Sequence, residues 1–196
     1  MPAHKSVFLR EFLRSPAKTG AVAPSSCRLA QVVCAPVPER GDPVVVELGP
    51  GTGSFTREIA RRLAGRGAQI AVEVNPALAG VLAGAFPELD LVRGDAADLP
   101  KFLSERGIDR ADVVVSGLPW AVFPDALQRS IIRAVSAALA PGGAFTTFAY
   151  VHALWMPPAR RFRRLLESEF EEVVASRTIW PNLPPALVYT ARRPRP

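Results

Sequence analysis

The sequence is short of cysteines, of acidic residues and of long apolar runs, and each shortage excludes a class of protein. Its only two cysteines are Cys27 and Cys34, which excludes a disulfide framework, and we expect both to be buried thiols in a reducing cytosol. No apolar run approaches the roughly 20 residues that span a bilayer, and we expect no secretory signal. Charged residues are 21% and apolar residues 48% of the chain, which excludes a disordered protein.

The charge that is present is mostly positive. Lysine and arginine number 24 against 18 aspartates and glutamates, which gives a net charge of +6 and a pI near 10.1. A basic surface predicts an anionic partner, either nucleic acid or acidic lipid, and charge alone does not choose between them. The sequence contains no Ser-His-Asp triad, metal-ligand cluster or P-loop.

The most informative stretch is residues 44–53. An apolar run that predicts a buried strand leads through Glu47 into three glycines at alternate positions: Gly49, Gly51 and Gly53. Such a turn lets backbone N–H groups and a helix N-terminus approach a ligand closely. Glu73 ends the next predicted strand, where a carboxylate accepts hydrogen bonds from a ribose diol. The glycine turn and Glu73 together predict a nucleotide-type cofactor site. Glu47 suits a ligand with an amino group and a positive charge. The alternatives are a nicotinamide cofactor and a turn without a ligand.

Strands and helices alternate after residue 40, which predicts βαβ units and a parallel sheet. We predict strands over residues 43–48, 69–74, 89–93, 111–116 and 143–149. Helices are predicted over residues 54–64, 76–86, 98–106, 124–140 and 157–169. Two further strands, 172–179 and 186–191, are predicted to form a hairpin through residues 180–185.

Glu47 and the alternate glycines resemble the first motif of the class I S-adenosylmethionine-dependent methyltransferases. The resemblance implies a Rossmann-like α/β fold: a seven-stranded, mostly parallel sheet with a C-terminal antiparallel hairpin. It implies S-adenosylmethionine as cofactor, with Glu73 on the ribose and Asp95 on the adenine amine. The alternative for Asp95 is a helix N-cap, a place that Asp98 already takes. The implied cofactor-binding residues are Glu47, Gly49, Gly51, Thr52, Gly53, Glu73, Val74, Asn75, Asp95, Ala96, Ser116 and Leu118.

Four segments together resemble the bacterial phospholipid N-methyltransferases: residues 8–26, 47–53, 116–119 and 182–186. This resemblance implies N-methylation of phosphatidylethanolamine towards phosphatidylcholine, and an N-terminal amphipathic helix that binds anionic membrane lipids. We expect a helical membrane- and substrate-binding segment over residues 1–40 and an S-adenosylmethionine-binding methyltransferase domain over residues 41–196. We also expect a monomer without a metal, peripheral on the inner face of the cytoplasmic membrane.

Methyl transfer to an amine needs the neutral amine, so a base or an orienting group is expected beside it. Candidates follow the fourth and fifth strands: Trp120 as an aromatic face, Tyr150 to orient the amine and His152 as the base. The alternatives are a core tryptophan for Trp120 and an ordinary loop histidine for His152. The candidate substrate-binding residues are Lys18, Thr19, Ser25, Ser26 and Trp180.

The alternative function is that of a ribosomal RNA or other nucleic-acid adenine N6-methyltransferase, which the net charge and the first motif favour. Adenine methyltransferases usually carry Asn/Asp-Pro-Pro-aromatic after the fourth strand. This chain has Ser116 and Leu118 in place of the residues of that motif. Only a few residues of this sequence follow the predicted hairpin, and they are too few for a nucleic-acid recognition domain. We therefore favour a lipid acceptor and no nucleic-acid partner.

Overall fold

Seven strands form one central sheet in the computed structural model, which describes residues 25–195. The strands are β1 (Val44–Leu48), β2 (Ala68–Glu73), β3 (Asp90–Arg93), β4 (Ala111–Ser116), β5 (Leu139–Tyr150), β6 (Phe170–Ala175) and β7 (Ala186–Pro194). Their order in the sheet is β3-β2-β1-β4-β5-β7-β6. The pairs among β1 to β5 are parallel, and β7 runs antiparallel to both β5 and β6. The predicted fold class is confirmed.

Six α-helices connect or flank these strands within the described residues. They are α1 (Cys27–Val33), α2 (Ser54–Leu63), α3 (Pro76–Ala85), α4 (Leu99–Ser104), α5 (Asp125–Ala138) and α6 (Pro157–Glu169). Local sequence explains several boundaries. Asn75 caps α3, where its Oδ1 accepts from the backbone N–H of Ala77 at 2.9 Å, and Pro76 occupies the first turn. Helix α6 has the predicted bounds.

The region around residue 140 differs from the prediction. The helix predicted to reach residue 140 ends at Ala138, because Leu139 is already extended. Strand β5 therefore starts at Leu139 and contains Pro141-Gly142-Gly143, residues that are typical of the end of a helix. The register between β4 and β5 shifts between Ala111 and Val113, which accommodates this irregular start. The sixth strand is also earlier than predicted, because Phe170 follows directly on α6.

Apolar residues fill both faces of the sheet. On one face α4, α5 and α6 pack against the strands, with Phe145 and Leu166 fully buried. On the other face α1 and α2 pack, with Leu29 and Ile59 fully buried. Successive residues of a strand point to opposite faces, so β5 contributes Phe145 to the first cluster and packs Phe148 against the second. Burying one such side chain contributes roughly 1.5–3 kcal/mol.

The two cysteines differ. Cys34 is buried as expected, and its burial raises the pKa of the thiol. Cys27 is exposed, so the expectation that both are buried is wrong for this residue. It occupies the first position of α1, whose inward positions are taken by Leu29 and Val33.

Part of the predicted organisation lies outside residues 25–195. This holds for the N-terminal amphipathic helix and for the candidate substrate-binding residues Lys18 and Thr19. The division of the chain at residue 40 stays a prediction. Within residues 25–195, none of the helices combines the length and the apolar content that crossing a membrane requires.

Candidate functional site

Two loops meet where β1 and β4 end. Gly49 has a φ of +67°, and a Cβ there would lie 2.7 Å from Cδ2 of Leu118. A Cβ on Gly117 would lie 2.5 Å from the carbonyl oxygen of Gly49, while the Gly117 N–H donates to the carbonyl of Leu48 at 2.8 Å. Only glycine fits this close approach. The two loops therefore form one wall at the carboxyl edge of the sheet, where open α/β sheets bind ligands.

The outer side of the glycine loop is open. Gly51 has a φ of +55°, and no described atom lies within 4 Å of the position that its Cβ would take. Gly53 then begins α2 as a cap without a side chain. The N–H groups of the three loop glycines already have acceptors within the protein. The loop therefore offers a ligand the open space beside Gly51 and the N-terminus of α2. Thr52 is exposed in the same loop.

Glu47 is a completely buried carboxyl group with one oxygen unpartnered. Its exposed fraction is 0%, and its Oε2 accepts a hydrogen bond from Oγ1 of Thr56 at 2.7 Å. Its Oε1 has no hydrogen-bond partner within residues 25–195. Burial raises the pKa of Glu47 to about 8, and the charge of Glu73 adds to this, whereas the Thr56 bonds lower it. An unpartnered buried carboxylate oxygen fits a cationic amino group, which would stabilise the ionised form.

Glu73 links the end of β2 to the glycine loop. Its buried carboxylate accepts a hydrogen bond from the backbone N–H of Asn75 at 2.8 Å. Burial raises the pKa of Glu73, and hydrogen bonds from the backbone N–H groups of Asn75, Gly51 and Val74 oppose that effect. The acid predicted to hold a ribose therefore lies beside the glycine loop.

Asp95 is half-buried after β3 and caps the short 3₁₀ turn Ala96–Asp98, because its Oδ1 accepts from the backbone N–H of Ala97 at 3.0 Å. Asp98 occupies the N-cap position of α4, as expected, but its side chain does not supply the cap bond. No described residue bonds Oδ2 of Asp95, so its capping role leaves one carboxylate oxygen for a ligand.

Trp120 lies in the core. Its ring stacks on Phe162 at 4.3 Å between centroids, and its Nε1 donates to Oγ of Ser116 at 3.2 Å and to Oγ1 of Thr147 at 3.0 Å. This is the core-tryptophan alternative, so we do not include Trp120 in the acceptor site. The Ser116 hydroxyl also accepts from the backbone N–H of Leu118 at 3.2 Å. Ser116 and Trp120 thus fix the loop that contacts Gly49.

An aromatic row leads from α2 to the end of β5. Ring centroids are 5.8 Å apart for Phe55 and Phe148, 5.3 Å for Phe148 and Tyr150, and 5.7 Å for Tyr150 and His152. Phe55 comes two residues after Gly53, so the row begins beside the glycine loop. Burial raises the pKa of Tyr150, which keeps its hydroxyl protonated, while His152 is exposed.

The structure thus brings two candidate residues, Tyr150 and His152, together. Sequence reasoning missed Phe55, Phe148 and Thr56. The alternation of β5 places Phe148 on the same face as Tyr150, and that pattern could have identified it.

The remaining candidates meet at the turn between β6 and β7. Ser26 caps α1, where its Oγ accepts from the backbone N–H of Leu29 at 3.2 Å. Its own N–H donates to Oδ1 of Asn182 at 2.9 Å, and Nδ2 of Asn182 donates to the carbonyl of Pro184 at 2.7 Å. Trp180 is exposed in the same turn. Ser26 therefore has a structural role, and Asn182 links the start of α1 to this turn. Ser25, the residue before Ser26, is half-buried.

Comparison with known proteins identifies similar sequences. The family described as "Methyltransferase domain" matches residues 45–143. An ornithine lipid N-methyltransferase of Singulisphaera acidiphila is 38% identical over 189 residues, which are 95% of this chain and 94% of that protein. A ribosomal RNA small subunit methyltransferase A of Alkaliphilus oremlandii is 34% identical over 83 residues, covering 40% of this chain and 28% of that protein.

The fold has solved relatives. The crystal structure of TrmN from Thermus thermophilus superposes with a TM-score of 0.68 at 20% identity, covering 90% of this chain and 52% of that chain. The unpartnered oxygen of Glu47, the open loop at Gly51 and the acid Glu73 fit the amino group and ribose of S-adenosylmethionine. The predicted fold, family and cofactor are confirmed. The chain belongs to the class I S-adenosylmethionine-dependent methyltransferases and uses S-adenosylmethionine as its methyl donor.

Proposed function

We propose that this chain transfers methyl groups from S-adenosylmethionine to the amine of a lipid head group at a membrane surface. The observation that carries the proposal is the extent of the similarity to the ornithine lipid N-methyltransferase, which covers 95% of the chain. That span includes the part of β5 after residue 143 and the turn between β6 and β7, which lie beyond the matched methyltransferase domain. The similarity to the ribosomal RNA enzyme covers only 40% of the chain and 28% of that protein.

The acceptor we propose to test first is ornithine lipid, because the relative that matches along the whole chain is named for it. Phosphatidylethanolamine, the acceptor that the sequence resemblance implies, is the second. Both lipids carry a primary amine at the head group. Both lipids therefore require the same reaction, methyl transfer to a primary amine, and they differ in the groups around that amine.

When bound, S-adenosylmethionine supplies an electrophilic methyl group that a neutral amine attacks in line as the carbon–sulfur bond breaks. Glu47 would hold its cationic amino group, Glu73 its ribose and Asp95 its adenine. These assignments are the ones that the family resemblance implies, and they are supported by the position of each carboxylate beside the glycine loop or at the end of β2 or β3.

The protein's task at the acceptor is to align a neutral amine, since alignment contributes much of the rate in such a displacement. An amine with a pKa near 10.4 is neutral in only about one molecule in 10³ at pH 7. His152 is exposed beside Tyr150 and is our proposed base, which passes the proton to solvent. Tyr150, kept protonated by burial, is our proposed orienting group.

The aromatic row explains how a methylated product can be held. Each added methyl group removes one N–H donor from the ammonium centre, so hydrogen bonds to the protein can offset less of its charge. An aromatic face attracts such a cation by about 0.5–2 kcal/mol. Phe148 and Tyr150 offer neighbouring rings at the end of β5, which supports repeated methylation of one amine.

The test is methyl transfer from labelled S-adenosylmethionine to lipids dispersed in detergent. Ornithine lipid and phosphatidylethanolamine are compared with the same lipids whose amine has been acetylated. We expect label in the lipids with a free amine and none in the acetylated controls. Tyr150→Phe should lower the rate more than it changes cofactor affinity. If protein that binds the cofactor labels RNA and no lipid, the proposal is wrong.

A further inference from the structure

Exposed apolar side chains are concentrated at the carboxyl edge of the sheet. Four of the six large hydrophobic residues that are exposed within residues 25–195 lie in two connections, between β5 and α6 and between β6 and β7. We call these four the edge patch: Trp155 (76% exposed), Met156 (40%), Trp180 (73%) and Leu183 (78%). The other two lie singly, on α3 and on β6: Val81 and Val174. A solvent-exposed group of this kind marks an interaction surface.

Backbone contacts hold the two connections side by side. Tyr150, the last residue of β5, is paired with Ala186, the first residue of β7. The N–H of Val151 donates to the carbonyl of Pro185 at 2.9 Å, and the N–H of Ile179 donates to the carbonyl of Ala186 at 2.7 Å. The edge patch therefore occupies one end of the molecule, next to Tyr150 and His152.

The surroundings of the edge patch are cationic. Residues 151–164 and 176–185 contain no aspartate or glutamate, and they carry five arginines: Arg160, Arg161, Arg163, Arg164 and Arg177. Arg163 is paired with Glu167 at 2.9 Å, which leaves four of these arginines without an acidic partner among the described residues. The guanidinium of Arg160 lies over the ring of Trp155, 5.9 Å from its centroid. The loop after β4, residues 117–124, is also free of acidic residues. An apolar group bordered by arginines complements a surface that is apolar inside and anionic outside.

We propose that the edge patch inserts into the head-group region of an anionic phospholipid bilayer, an inference that rests on the proposed lipid acceptor. Tryptophan favours this region because its ring is apolar and its N–H is polar, and neighbouring arginines attract anionic lipid phosphates. A nucleic acid would engage the arginines but leave Met156 and Leu183 in water. Insertion would bring the end of β5, with Tyr150 and His152, to the level of lipid amines.

The test uses tryptophan fluorescence of the full chain with vesicles. Trp120 is buried, so only Trp155 and Trp180 can respond to lipid. Trp155→Phe and Trp180→Phe each leave one exposed reporter. With phosphatidylglycerol vesicles that contain brominated acyl chains, we expect each reporter to shift to the blue and be quenched. Phosphatidylcholine vesicles should produce much smaller effects.

Vesicle sedimentation measures how much the edge patch contributes to the binding of anionic vesicles. Trp155→Ser combined with Leu183→Ser should weaken binding by about tenfold or more, because two exposed apolar groups are lost. Val81→Ser is the matched control, since Val81 is exposed on α3 at 65% and should leave binding unchanged. Cofactor affinity of each variant verifies that it is folded.

Three outcomes would overturn the inference. One is protein that sediments with vesicles without quenching of either tryptophan. Another is a double variant that binds as tightly as the wild type. The third is a blue shift that depends on protein concentration without vesicles, which would assign the edge patch to contact with a second copy. The proposed function is checked separately with the wild type and detergent-dispersed lipid; failure there, with quenching retained, would refute the acceptor and not the membrane contact.

Discussion

Glu47→Gln is the sharpest test of how the cofactor is recognised. The substitution keeps the shape of the side chain and removes its ability to ionise. Because Glu47 is fully buried and its Oε1 is unpartnered, we expect the ionised carboxylate to form when the cationic amino group of S-adenosylmethionine arrives. Binding should then release a proton, and affinity should depend on pH.

The magnitude follows from the pKa of about 8. At pH 7 about one molecule in ten has Glu47 ionised, and at pH 5.5 about one in 300. The cofactor's α-amino group, with an ordinary pKa near 7.7–8.0, stays mostly protonated over this range. Wild-type affinity should therefore be about thirtyfold lower at pH 5.5 than at pH 7. Glu47→Gln should bind more weakly at pH 7 and lose most of this dependence.

The assay is isothermal titration in two buffers of different ionisation enthalpy, which reports both affinity and released protons. Wild-type protein should release a proton near pH 7, and Glu47→Gln should release a smaller fraction. Equal affinity, equal dependence of affinity on pH and equal proton release in the two proteins would refute the role of Glu47.

In the absence of cofactor, a rise in pH has the opposite effect, because it lowers the free energy of unfolding. Folded Glu47 has a pKa above its ordinary 4.5, so the stability it contributes below pH 4.5 is lost as pH rises through about 8, and Glu47→Gln should remove that loss.

Other predictions concern the ribose site, the turn and the close approach of the loops. Glu73→Ala should abolish cofactor binding, measured by titration, while its far-ultraviolet circular dichroism stays unchanged. Asn182→Ala should lower the free energy of unfolding in urea by about 1–3 kcal/mol, because the partly buried N–H of Ser26 loses its acceptor; an unchanged midpoint would contradict this. Gly117→Ala should destabilise the protein by about 1–3 kcal/mol through overpacking, whereas Gly142→Ala, with no atom within 4 Å of its Cβ position, should have no such effect in thermal unfolding.

Features encoded by neighbouring residues could be predicted from the sequence. The run of valines before Glu47 identified β1, and proline at the first turn identified α3. Glu47, the glycine loop and Glu73 form a site from two strand ends that are adjacent in both sequence and space. Their role therefore followed from a local pattern, and the match to the methyltransferase domain confirms the cofactor.

Features that depend on distant partners could not be predicted. Gly117 must be glycine because Gly49, 68 positions earlier in the chain, passes against it. Trp120 was placed equally in the acceptor pocket and in the core, because Phe162 and Thr147, which enclose its ring and its N–H, lie on other elements. The hydrogen bond from the N–H of Ser26 to Asn182 likewise depends on a turn near the C-terminal end. Strand β5 was shortened in the prediction because Pro-Gly-Gly usually ends a regular element, and the shifted register with β4 accommodates it here.

The central claim is that the acceptor is a lipid amine. It is tested most directly by incubating the full chain and labelled S-adenosylmethionine with vesicles and ribosomal RNA together, and then separating the lipid from the RNA. The vesicles contain ornithine lipid and phosphatidylethanolamine, with and without anionic lipid. Our account predicts label in N-methylated lipid, more of it with anionic lipid present, and none with the Glu73→Ala protein. Label in the RNA alone, or no labelled product from protein that binds the cofactor, would contradict it.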